Sequence, residues 1–325
     1  GKDETQNVVI KKHGNIKEFD FEPKDHIELG KLLDIIDTET AAKVTGSRFY
    51  YLKNQAVSLQ FALINFVFST VQNPEIIKQL AQKVGNSNYK TFTPIIPPYF
   101  VRQDVIDKMA RLDPVDDKYV LEKDNMLLIG SAEHTLGPMH MNKNFTEDQL
   151  PLRYIGYSTA FRRESGSYGK DVKGILRTHQ FDKLEMESFS TIEQGSFEQD
   201  LFVQIQEYLL QQLEIPYQVL SICTGDMGKP DYKQIDIECY IPSQYKYRET
   251  HTSDFMTDYQ SRRLGITYTN KAKNKNYVYM NDATAFAIGR ILIAILENNQ
   301  QKDGSVIIPK VLVKYTGFEK IVPIN

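Results

Sequence analysis

Along the chain, apolar positions recur with two periods. From Gln55 to Gln72 the pattern predicts a helix, closed by Asn73–Pro74. Ala56, Val57, Leu59, Phe61, Leu63, Ile64, Phe66, Val67 and Phe68 surround its axis almost completely. A helix that is apolar all round is buried, either in the core or against a partner subunit. A second helix is predicted from a capping box formed by Ser196 and Gln199. It carries Phe197, Leu201, Ile205, Tyr208, Leu209 and Leu213 on one face and ends at Pro216. A third helix, capped by Asp282 or Thr284, runs to about Asn298. Short strands are expected at Tyr50–Leu52, Val120–Leu121, Leu127–Ile129, Arg153–Tyr157, Val219–Thr224 and Gln234–Ile241. His179 to Phe189 alternates only loosely, through Phe181, Leu184, Met186 and Phe189, and is read as a strand. Thr91 to Pro98 is extended and ended by prolines. Residues 1–45 are polar and broken by Gly14, Pro23 and Gly30. Groups of strands with helices set between them predict an α/β (α+β) fold, an antiparallel sheet flanked by helices.

The 325 residues suffice for one large domain or two ordinary ones. The 41% apolar and 25% charged content is that of a globular protein. No run of 18 apolar residues is present, so no membrane span is expected. The opening residues lack the pattern of a secretory signal. Two cysteines, Cys223 and Cys239, are too few for a disulfide framework, and together these features point to the cytoplasm. The formal net charge is −3, whereas a dedicated nucleic-acid-binding domain is basic. Contact with nucleic acid would therefore use a local basic patch or a segment outside this chain. His134, His140 and His179 are not spaced as a metal site and the cysteines form no CxxC, so no zinc is expected.

Three segments carry more chemistry. Phe161 to Glu185 reads as a strand, a polar loop and a returning strand. The loop holds Gly166, Gly169 and Gly174 with Arg163, Lys170 and Lys173. Glycines admit close backbone approach and neighbouring cations suit phosphate, though a solvated hairpin tip has the same composition. Asn281 to Glu297 places Arg290 in an otherwise apolar helix. A buried guanidinium needs an anion, so Arg290 either pairs with a carboxylate or faces a bound ligand. The third segment is the apolar helix leading into Thr91–Pro98.

In this order the three segments resemble the signature motifs of class II aminoacyl-tRNA synthetases. The helix and strand ending at Pro97 resemble motif 1, the dimer element. Phe161–Glu164 with the returning Arg177–Phe181 resembles motif 2, and the Gly289–Arg290 helix resembles motif 3. The likeness narrows to the seryl enzymes through Ser131–Ala132–Glu133, similar to their Thr-Ala-Glu loop. Cys223–Gly228, Tyr247–Asp254, Asp258–Gly265 and Leu296–Gly304 continue it over nearly the whole chain. The family's helical hairpin, a coiled coil that grips tRNA, has no counterpart in heptads here. Residues 1–45 are read as the linker that follows that arm plus an extension of the core, and 46–325 as the catalytic domain.

The resemblance implies an enzyme that joins serine to the α-phosphate of ATP and passes it to tRNA(Ser). Arg162 would bridge the carboxylate and α-phosphate, and Arg290 would hold the γ-phosphate. Phe181 would stack on adenine, with Glu164 near its amine and Arg177 also on the ATP. Glu249 and Thr252 would hold Mg2+ against the phosphates. Serine would be read by Ser131 and Glu133 at its amino group and by Glu185 and Thr284 at its hydroxyl. Ser131 stands where the family has Thr, and Asp282 where it usually has Asn, unless Asn281 fills that place by a one-residue offset. A homodimer is expected. Two other functions stay open: a ligase without the arm that loads a non-tRNA acceptor, and an inactive paralogue serving as a binding module.

Overall fold

The computed structural model describes residues 1–165 and 173–324. Its centre is an eight-stranded sheet: β1 Val8–His13, β2 Thr93–Ile95, β3 Leu152–Phe161, β4 Gln180–Ser190, β5 Tyr217–Ser221, β6 Lys233–Ile241, β7 Lys246–Thr257 and β8 Tyr279–Ala287. The spatial order is β1-β5-β6-β7-β8-β4-β3-β2. All neighbours are antiparallel except β2 on β3.

Strand alternation divides the sheet into a dry face and a polar face. Leu184 and Met186 of β4, Ile235 and Ile237 of β6, and Ala283 of β8 join one large apolar core. Helices α1 His26–Leu32, α2 Gln55–Val71, α4 Gly195–Gln212 and α5 Ile288–Asn298 supply the rest of that core. On the opposite face, Lys183, Glu185 and Glu187 stand in the alternate positions of β4. They are covered by the loop and the short helix α3, Glu133–Leu136.

Several local expectations change. Residues 279–287 are a strand rather than the first turns of a helix, so Asp282 and Thr284 cap nothing; the N-cap of α5 is Ala287. Pairing with β4 and β7 overrides the helix-like composition of this segment. Ser196 lies inside α4, whose N-cap Gln194 makes no side-chain cap bond. Gln199 instead donates to the carbonyls of Lys233 and Ser253, tying the helix to the sheet. In α2 most apolar residues are buried, but Val57 and Phe61 remain 39% and 53% exposed. Residues 1–45 hold more structure than their polarity suggests. Asp25 and Glu28 make a capping box for α1, and Leu29, Leu33 and Ile35 enter the core.

Candidate active site

Cross-strand register builds the site. Glu185 of β4 lies opposite Thr284 of β8 on one side and Gly156 of β3 on the other. A Cβ on Gly156 would sit 2.7 Å from Leu136 Cδ1 and 3.2 Å from Ala132 Cβ. Glycine at this position therefore lets the Ser131–Leu136 segment lie directly on the sheet. One step along, Gln234, Asp254, Asp282 and Glu187 lie opposite one another across four strands.

Two bulges set which side chains share the face. In β7, Ile237 is opposite His251 and Glu238 opposite Glu249, so Thr250 is the extra residue. Glu249 and Thr252, three apart in sequence, consequently line the same cleft. In β8 the extra residue is Ala285, between the partners of Leu184 and Glu185.

That cleft, about 600 Å³, brings together Arg162, Glu164, Arg177, Phe181, Glu249, Thr252, Thr284 and Arg290. Arg162 donates through Nε to the Gly130 carbonyl at 3.0 Å, and its guanidinium lies 5.4 Å from the centre of the Phe181 ring. Arg177 pairs with Glu164 at 2.7 Å. Glu164 has φ +54°, at the point where the chain leaves β3. Its neighbour Arg163 donates its N–H to the Asp117 carbonyl, and the Ser165 N–H reaches the Asp117 carboxylate at 3.3 Å. Gly166, Gly169 and Lys170 lie outside the described residues. Arg290 donates to the carbonyl and the carboxylate of Glu249, at 2.8 and 3.0 Å. The side chains of this pair are 23% and 53% exposed, so the guanidinium is paired and also faces an open cleft.

Ser131, Glu133 and Glu185 form the dry end of the site. Lys183, a residue without a role in the expected site, joins them. Its Nζ is 2.5 Å from Glu185, 2.9 Å from the Ser131 hydroxyl and 4.0 Å from Glu133. Burial pushes the Glu185 pKa up to about 8, with Lys183 offsetting only part and Glu133 and Asp282 adding to the rise. Burial also opposes ionisation of Glu133, but Lys183, His134 and Arg111 outweigh it and hold that carboxyl below its usual range.

Asp282 is not free to change the charge of the site. Arg111 Nη2 lies 3.3 Å from it, 3.2 Å from Asp254 and 3.6 Å from Asp231. Asn281 does not replace it: its side chain faces the helix side, where its amide donates to the Gly195 carbonyl. The one-residue offset is thereby excluded. Near the mouth, burial and the Glu249 carboxylate push the pKa of Asp236 up to about 8, against hydrogen bonds from Gln234 and Thr252. Lys183 and Glu187 could have been found by continuing the alternation through Phe181 and Glu185. Arg111, Asp236 and Asp254 carry no local signal, because only the tertiary fold brings them in. Among the described residues no group of three or more His, Cys, Asp or Glu side chains is arranged to hold a metal ion.

A family model described as the tRNA synthetase class II core domain (G, H, P, S and T) matches residues 118–299. The serine–tRNA ligase of Dictyoglomus thermophilum is 42% identical over 325 residues, covering 99% of this chain and 73% of the relative. That of Pyrococcus horikoshii is 40% identical over 347 residues, covering 100% and 73%. Among solved structures, the Pyrococcus horikoshii seryl-tRNA synthetase complexed with ATP superposes with a TM-score of 0.91 at 40% identity. It is covered over 74% of its length, and this chain over 100%. The cytoplasmic serine–tRNA ligase of Naegleria fowleri in complex with AMP gives 0.88 at 30% identity, with the same coverage of each chain.

Proposed function

The chain belongs to the serine–tRNA ligases of the class II synthetases, and from that premise we propose how its residues divide the work. The reaction activates serine with ATP and charges tRNA(Ser). A serine carboxylate oxygen attacks the α-phosphorus, and pyrophosphate leaves with the bonding pair. The 3′-terminal hydroxyl of tRNA then attacks the carbonyl carbon, and AMP leaves. Neither step requires a strong side-chain base; placement and charge neutralisation dominate.

Arg162 bridges the serine carboxylate and the α-phosphate, where a planar fork can meet two oxygens at once. Phe181 stacks on adenine, and Glu164, held by Arg177, takes the exocyclic amine. Arg290 takes the γ-phosphate. The supporting observation is that these five residues, with Glu249, Thr252 and Thr284, converge on one cleft open enough for a nucleotide. Ser131 and Glu133 hold the ammonium of serine; Glu185 and Thr284 read its hydroxyl. Asp282 acts at one remove, as part of the Arg111 cluster beneath the amino acid.

The carboxylate of Glu249, the hydroxyl of Thr252 and the nearby Asp236 are hard oxygen donors at the mouth of the cleft. They suit Mg2+, which keeps several waters and takes its other oxygens from phosphates. Bound there, the ion would neutralise phosphate charge. The exposed Val57 and Phe61 on α2 support a homodimer joined across that helix. No helix among the described residues is long and apolar enough to cross a membrane, which agrees with a place in the cytoplasm. Residues 46–325 form the catalytic domain in this reading, with 1–45 as linker and extension. The test is ATP–pyrophosphate exchange across the amino acids, with glycine and alanine as controls. Exchange should require serine; exchange driven equally by alanine would overturn the pocket assignment.

A further inference from the structure

Phe181, Lys183 and Glu185 are alternate residues of one strand and therefore share its polar face. Successive side chains on one face of a strand are about 6.6–6.8 Å apart. In the assignment above, on which this inference rests, Phe181 carries adenine and Glu185 reads the serine hydroxyl. In seryl-adenylate the group between those ends is the α-phosphate, so Lys183 stands beneath the reacting phosphorus. It lines the same cleft as Arg162 and Thr284.

The Lys183 ammonium is turned to the other end. It touches the Ser131 hydroxyl and Glu185 and lies 4.0 Å from Glu133, at a site where its side chain is only 10% exposed. Those are three of the five residues assigned to serine. An ammonium held by that set occupies the place expected for the ammonium of the amino acid. Two cations cannot share it, because their repulsion in a dry pocket costs far more than in water.

We propose that Lys183 is a catalytic residue with two positions: it stands in for the substrate ammonium in the empty site, and it moves to the α-phosphate when serine takes its place. The cation held by Ser131, Glu133 and Glu185 is then released to the oxygens that gain charge as the carboxylate attacks and pyrophosphate departs. Glu133 and Glu185 exchange one ammonium partner for another, so the charge of the ionised Glu133 never goes unmatched. ATP draws Lys183 away from the carboxylates, and serine refills them. Each ligand therefore favours the other, a coupling that must be reciprocal.

The experiment is calorimetric titration with L-serine and with 3-hydroxypropionate, each with and without an ATP analogue whose α,β-bridging oxygen is a methylene. The second ligand keeps the hydroxyl and carboxylate of serine and lacks its ammonium. In the unaltered protein the analogue should tighten serine at least tenfold and leave 3-hydroxypropionate within twofold. In Lys183→Met the tightening of serine should vanish. The exchange rate constant should fall at least a hundredfold, with a smaller change in the KM for serine. Equal tightening of both ligands by the analogue in the unaltered protein would overturn the proposal, and this arm stands even if the variant does not fold. So would undiminished coupling or near-normal exchange in the folded variant. Absence of serine-dependent exchange in the unaltered protein would instead remove the site assignment itself.

Discussion

Replacing Arg111 with Met keeps most of the aliphatic stem and deletes the charge beneath the proposed serine pocket. The guanidinium is 17% exposed and lies 3.2 to 3.6 Å from three carboxylates whose own exposures are 1%, 5% and 9%. Glu187, fully buried beside them, has no hydrogen-bond partner on either carboxylate oxygen. Removing the cation from such a group costs about 3–5 kcal/mol. Unfolding entropy of about 2.1 cal/mol/K per residue then predicts a fall in midpoint of roughly 4–7 °C for a chain of this length. The loss should depend on pH, and the sign follows from linkage. Burial pushes Asp231 up to about 7 despite Arg111, and it pushes Asp254 and Asp282 well above the usual carboxylate range. Acids raised in the folded state hold protons that the unfolded chain has released, so stability falls as pH rises from about 4 through the folded pKa. Without Arg111 these values rise further, and the deficit should grow from pH 5 to pH 8, by up to about 1.4 kcal/mol per pH unit for each extra proton held. The assay is thermal unfolding of both proteins at those two pH values. Arg111→Met with Asp282→Asn should lose less than Arg111→Met alone, since one unmatched carboxylate is gone. A fall below about 1 °C at both pH values, or a double variant worse than the single, would refute the account.

Arg290→Ala strands only a half-exposed Glu249, so the midpoint of the ligand-free protein should move little. Serine-dependent exchange should drop by on the order of 3 kcal/mol or more in transition-state stabilisation. A large fall in midpoint with near-normal exchange would show the pair to be structural. Glu185→Ala should raise the KM for serine and cut the preference for serine over alanine by at least about a hundredfold, because the site would no longer penalise a missing hydroxyl; competitive exchange measures the ratio. Phe61→Glu on the exposed side of α2 should convert a dimer to a monomer in sedimentation equilibrium at micromolar concentration, and an unchanged mass would place the interface elsewhere.

Where local chemistry decides the structure, the sequence was legible. The stop at Asn73–Pro74 marks the end of α2, and the strands that carry Phe161 and Phe181 pair as expected. The three motif arginines, Arg162, Arg177 and Arg290, do meet in one cleft. Legibility failed where distant segments decide. Thr284 and Asp282 look like helix caps until β4 and β7 are placed on either side of them. Ser196 and Gln199 fit a capping box in spacing, yet the amide of Gln199 is taken by two strand carbonyls. Arg111 is an ordinary surface arginine in sequence and becomes the guanidinium shared by three carboxylates only through long-range packing. Lys183 is legible by alternation alone, since it stands between Phe181 and Glu185 on the same face of the strand.

The bulge at Thr250 makes the site depend on counting as well as on chemistry. Beyond it, Thr252 and Asp254 of β7 share the polar face with Glu249 only because one residue is spent without advancing the pairing. Substituting Thr250 changes a side chain; deleting it shifts the frame of the strand and sends every later residue to the wrong face. The same holds for Ala285, which stands between Arg290 and the serine end. These two short stretches can therefore drift in identity but not in length. Single-residue length changes should instead be tolerated in turns such as residues 271–274, which do not line the cleft.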